Sequence, residues 1–135
     1  MSYYRNFETK DDLIKYYFEE VNYTNIQDYY PYKNVNIWKE DYAFSFFSGL
    51  QQIKDDVLLI DRIGKLSLLL EVFISKNIEL AGDMPASSID RYWLYYISGA
   101  SLCAGIEWLK SGCKETPKEM AKSITGFMNS KLTEV

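Results

Sequence analysis

Apolar side chains recur along this chain every three to four residues, and the whole of it reads as α-helix. Thr9 can cap a first helix running to about Asn25, with Asp12 at its third position and Leu13, Tyr17, Phe18 and Val21 as its stripe. The stretch from Asn22 to Asn36, rich in Asn and Tyr and holding Pro31, reads as a loop or irregular link. From about Asn36 helical spacing returns in Tyr42, Phe46, Leu50, Ile53 and Val57, with Ala43 and Phe47 widening the face. Asp61 to Gly64 marks a break. Leu66 to Leu80 is very apolar, and although its Val, Ile and Phe suit a strand, its length and its leucines argue for helix. Ala81 to Pro85 ends it.

The densest pattern lies between Ser87 and Phe127. Ser87 or Ser88 caps a long helix that carries two apolar stripes. One holds Tyr92, Tyr96, Gly99, Cys103 and Ile106; the other holds Trp93, Ile97, Ala100, Ala104 and Trp108. A surface helix needs one stripe, so two predict burial on both sides. Small residues in the middle (Ser98, Gly99, Ala100, Ser101, Ala104, Gly105) let another helix come close. Gly112 suits the left-handed position that stops a helix. Thr116 then caps a last helix, with Pro117 in its first turn and Glu119 closing a capping box. Met120, Ala121, Ile124, Phe127, Met128 and Leu132 share one arc of it.

Composition narrows the picture. The 135 residues, 47% hydrophobic and 16% aromatic, suffice for one core and exclude disorder. A net charge of −4 and an isoelectric point near 4.9 argue against a general nucleic-acid binder. No apolar run is long enough to span a bilayer, and the N-terminus lacks the pattern of a signal peptide. Cys103 and Cys113, on one helix or at its end, would stand about 15 Å apart, beyond the reach of a disulfide. Two reduced thiols of a cytoplasmic protein are expected, one buried and one near a helix end.

Two stretches carry a resemblance. Gly99, Ile106, Trp108, Leu109 and Gly112, followed by Thr116-Pro117-Lys118-Glu119-Met120, resemble the last two helices of TetR-family transcriptional regulators. Tyr4-x-x-Phe7-x-x-Lys10-x-x-Leu13 resembles that family's junction between recognition helix and connecting helix. The implied fold is all-α: a TetR-like C-terminal domain of about six helices, dimerising through a four-helix bundle. Residues 1–8 would be a remnant of the DNA-recognition helix, and 9–135 the effector-binding and dimerisation domain. The resemblance implies phosphate contacts from Tyr4 and Lys10 in an intact protein; without the rest of the helix-turn-helix, packing of Tyr4 and a solvated Lys10 are favoured, and no operator should be bound.

Candidate chemistry is sparse. The chain has no histidine, which removes the usual general base and the commonest metal ligand. Its carboxylates read as helix-face charges, and Gly64-Lys65-Leu66-Ser67 lacks phosphate-loop spacing. Neither enzyme activity nor a cofactor nor a metal is expected. The resemblance implies an apolar effector pocket between the central helices. Phe44, Phe47, Phe73, Trp93, Tyr96 and Cys103 are candidates to line it, for a small apolar or aromatic molecule, although rings at helical spacing also simply pack. Gly105, Ile106, Trp108, Leu109, Met120, Ile124 and Phe127 are candidates for the dimer interface; Trp108 fits equally an interface anchor or intrachain packing. The reading is thus the ligand-sensing and homodimerising region of a repressor lacking most of its DNA-binding part. The alternative is a headless helical module that dimerises with an intact regulator or another protein.

Overall fold

The computed structural model describes residues 7–29, 39–82 and 85–133. Six helices run through them: α1 Lys10–Tyr29, α2 Glu40–Gln52, α3 Lys54–Arg62, α4 Leu66–Ala81, α5 Ile89–Lys110 and α6 Pro117–Thr133. Tyr4 and Pro31, and the side chains of Val21, Met128 and Leu132, lie outside the described residues. The all-α expectation holds for the rest.

Local chemistry sets most boundaries. Thr9 Oγ1 accepts from the Asp12 amide at 3.1 Å and starts α1. That helix continues to Tyr29, into the stretch from Asn22 to Asn36 read as a loop, because nothing between Asn22 and Tyr29 forbids helical geometry; residues 30–38 lie outside the described residues. The long pattern beginning at Tyr42 belongs to two helices rather than one. Ile53, with φ −109° and ψ 27°, separates α2 from α3. The Val57 amide still donates to the Ile53 carbonyl at 3.0 Å, so the apolar period runs on across the kink. Of the two candidate serines, Ser88 is the cap of α5, its hydroxyl accepting from the Arg91 amide at 3.2 Å.

The joint between α5 and α6 is fixed atom by atom. Gly112, at φ +86°, takes the left-handed position. Its amide donates to Leu109 at 3.2 Å, and the Cys113 amide donates to the Trp108 carbonyl at 3.0 Å, which closes a Schellman motif. The capping box is complete as well: the Thr116 amide donates to Glu119 Oε1, the Glu119 amide to Thr116 Oγ1, each at 3.1 Å. Between the two caps the Trp108 indole donates to the Glu115 carbonyl at 2.9 Å.

These helices stack around α2 and α5. α6 lies along α2, α1 lies over α4 and α2, α4 packs on α5, and α3 reaches α5, α2 and α4. The main core joins Phe18 of α1, Phe47 and Leu50 of α2, Val57 and Ile60 of α3, Leu69, Val72 and Phe73 of α4, Leu102, Ile106, Trp108 and Leu109 of α5, and Ala121 of α6. α1 departs from its expected stripe. It inserts Phe18, with Ile14 beside it, and leaves Leu13 and Tyr17 half exposed, because Ile14 and Phe18 form the i, i+4 pair that faces α4 and α2.

The stripes of α5 also need correcting. Its core face is a third one, formed by Leu94, Ser98, Leu102, Gly105 and Leu109, all buried. Tyr92, Tyr96 and Cys103 point outward, and of the other stripe Trp93 and Ala100 are exposed while Trp108 is buried. Cys103 was expected to be the buried thiol; it is exposed, and Cys113 is the one packed against the core.

Candidate functional site

Up to Ala104, α5 is apolar on its inner and its outer side, and the inner side is the filled one. Along the outer side run Ile89, Tyr92, Trp93, Tyr96, Ala100 and Cys103. Tyr92 is 56% and Tyr96 55% exposed, and the Trp93 and Tyr96 rings meet edge to face at 5.4 Å. A large apolar side chain left in water forgoes about 1.5–3 kcal/mol of burial. Several of them in a row mark an interaction surface rather than scattered chance.

The two glycines of this helix differ in a telling way. A Cβ on Gly105 would run into Leu50 Cδ2, with the Phe46 ring atoms at 3.7 and 3.8 Å, so Gly105 is where α2 crosses α5. A Cβ on Gly99 would meet nothing within 4 Å, and its φ is not positive. A mid-helix glycine costs about 1 kcal/mol relative to alanine. For Gly105 the fold supplies the reason; for Gly99 nothing among the described residues does.

Beneath the outer face, α5 is bolted to α4 and α2 by a buried polar relay. The Tyr42 hydroxyl donates to Asn77 Oδ1, Asn77 Nδ2 donates to Ser98 Oγ at 2.7 Å, and Ser98 Oγ donates to the Leu94 carbonyl at 2.7 Å. Asn77 and Ser98 are fully buried, and Leu94, Ile74, Ile78 and Ile97 surround them. Every member is neutral, so no desolvated charge is stored there. The sequence reading missed this relay, although a lone Asn in the apolar run from Leu66 to Leu80 was the signal.

The main core holds an aromatic row. Phe73 stacks on Phe46 at 4.5 Å, Phe46 meets Phe47 at 5.0 Å, and Phe47 meets Trp108 edge to face at 5.6 Å. Among the polar contacts that hold α1 from outside are two ion pairs and a tyrosine hydrogen bond. Lys65 pairs with Asp11 at 3.1 Å, Lys15 with Glu71 at 3.4 Å, and the Tyr17 hydroxyl donates to Asp56 at 2.5 Å. That hydrogen bond, aided by burial and the carboxylate charge, raises the Tyr17 pKa above the ordinary phenol value. The Asp61 carboxylate, 2.8 Å from Lys110 Nζ, likewise raises the lysine and ties α5 to α3.

A comparison with family models now bears on this geometry. One for the transcriptional regulator C-terminal region, of the TetR type, matches residues 63–130, half of the chain. It begins just after α3 and spans all of α4 and α5 and most of α6. The chain belongs to the TetR family. No curated protein and no solved structure matches it.

The TetR-type C-terminal region is regulatory rather than catalytic. Among the described residues no helix is long and apolar enough to cross a membrane, and no cluster of His, Cys, Asp or Glu could hold a metal ion. Of the six pocket candidates, Phe47 and Phe73 are buried in the aromatic row and Phe44 packs half-buried against the same core. Trp93, Tyr96 and Cys103 stand apart from them, on the outer side of α5. Of the interface candidates, Gly105, Ile106, Trp108 and Leu109 lie inside, Met120 and Ile124 pack partly against the core, and Phe127 is exposed. Lys10 opens α1 on the surface.

Proposed function

We propose that this chain is the effector-sensing and dimerising region of a cytoplasmic TetR-like repressor and has no enzymatic activity of its own. The observation that carries the reading is α5, apolar up to Ala104 on two sides, one filled by its own chain and the other left to water. A helix of that kind is stable only when both sides are covered. A second copy is the natural cover, because an isologous contact needs one self-complementary face. Tyr92, Trp93 and Tyr96 are the anchors, with Phe127 of α6 exposed in the same way. The free thiols of Cys103 and Cys113 accord with a reducing compartment.

The effector is a small, largely apolar or aromatic molecule with one or two neutral hydrogen-bonding groups. What supports this is that α2, α4 and α5 together carry both the Phe46, Phe47 and Phe73 rings and the Tyr42–Asn77–Ser98 relay. Response follows from linkage: a ligand that prefers one setting of α1 shifts the population toward it. α1 suits a movable part, since among its described side chains Phe18 is the one fully buried, Ile14 packs partly beside it, and surface polar contacts add to them. Tyr4 and Lys10 would touch operator phosphates only in an intact regulator, with residues 9–135 as the sensing and dimerising part and 1–8 as the join. Sedimentation equilibrium at micromolar concentration tests the reading. A mass of two chains is expected, and a single-chain mass overturns it.

A further inference from the structure

Resting on the dimer reading, we infer that two copies pair with their α5 helices antiparallel, crossing at Gly99 and Ala100. The bulky apolar residues of the outer side all precede this point, and the small ones, followed by the charged Glu107, come after it. Tyr92, Trp93 and Tyr96 lie seven, six and three positions before Gly99; Ala100, Cys103 and Ala104 lie one, four and five after it, and Glu107 eight after. An antiparallel two-fold maps each position before the crossing onto one about as far beyond it. Tyr96 then sits over Cys103 of the second copy, Trp93 over its Ala104, and the Tyr92 hydroxyl near its Glu107 carboxylate. Large meets small on both sides of the axis, and a phenol donor meets an exposed acceptor. A parallel pair would instead set Tyr92 and Trp93 against their own copies and leave a gap along Ala100 to Ala104. Gly99 is the position at which backbones must approach most closely, which supplies the reason that the described residues of its own chain lack: open space beside it and a helical φ.

Two readouts of opposite sign test this. Gly99→Ala should raise the thermal midpoint by about 4 °C at a dilution where wild type and variant are both monomeric. The same substitution should weaken self-association, and Gly99→Leu should weaken it by about tenfold or more. Orientation is read with Tyr96→Cys and a short bis-maleimide. The expected product joins position 96 of one copy to Cys103 of the other, located by peptide mass mapping, and it disappears in Tyr96→Cys/Cys103→Ser. Links of 96 to 96 and 103 to 103 overturn the antiparallel arrangement. A wild-type dimer whose association Gly99→Leu leaves unchanged overturns the crossing point while the dimer reading survives. A monomeric wild type overturns both.

Discussion

At the scale of single residues, the fold depends on where small and polar groups meet large ones. Ser98 Oγ accepts from Asn77 Nδ2 and donates its own proton to the Leu94 carbonyl. Ser98→Ala leaves that amide unpaired in an apolar shell, at a cost of about 1–3 kcal/mol. A lower urea midpoint with an unchanged slope is the expected result. Gly105→Ala drives a methyl into Leu50. Overpacking of about 1–3 kcal/mol outweighs the helix preference for alanine, so equilibrium unfolding should show a loss where Gly99→Ala shows a gain. Sequence alone separates these two glycines poorly, because both sit in one helix among the same small neighbours. Asn77 is hidden for a related reason: a polar residue in an apolar run reads as the wet edge of a helix until its partners, far off in the chain, are placed beside it.

Among the helices, legibility followed the range of the interaction. Thr9, Gly112 and the Thr116–Glu119 box act over three to five residues and the pattern revealed each, while for the cap of α5 it narrowed the choice to Ser87 or Ser88. The kink at Ile53 involves neither Gly nor Pro and escaped notice. The settling of α1 was also obscure, since Leu13–Tyr17 and Ile14–Phe18 are equally good apolar pairs and only the position of α4 decides between them. The Tyr17–Asp56 bond makes a prediction for this helix. The folded phenol has a raised pKa, so its stabilising share is complete below the unfolded value near 10 and is lost as pH climbs through the higher folded one. Tyr17→Phe should therefore lose the part of the alkaline destabilisation that belongs to α1, followed by amide exchange of residues 10–20 across that range. Because Tyr17 is 45% exposed, the effect should be small beside that of emptying the Phe18 site.

For the whole molecule, the family and the all-helical architecture were open to reading, whereas the assignment of inside and outside on α5 was not. Three of its faces are apolar, so no amphipathic contrast tells which one meets the chain's own core. That ambiguity is itself the mark of a helix shared between two bodies. Sharing links association to folding, so the thermal midpoint should climb with protein concentration in calorimetry above the dilution at which the folded monomer prevails. The elbow between α5 and α6 leads somewhere else. Trypsin must draw a loosened stretch of backbone into its cleft, and here the Schellman turn, the capping box and the Trp108 indole leave none to draw. Lys110, Lys114 and Lys118, all on the surface, should survive a limited digest of the native protein uncut.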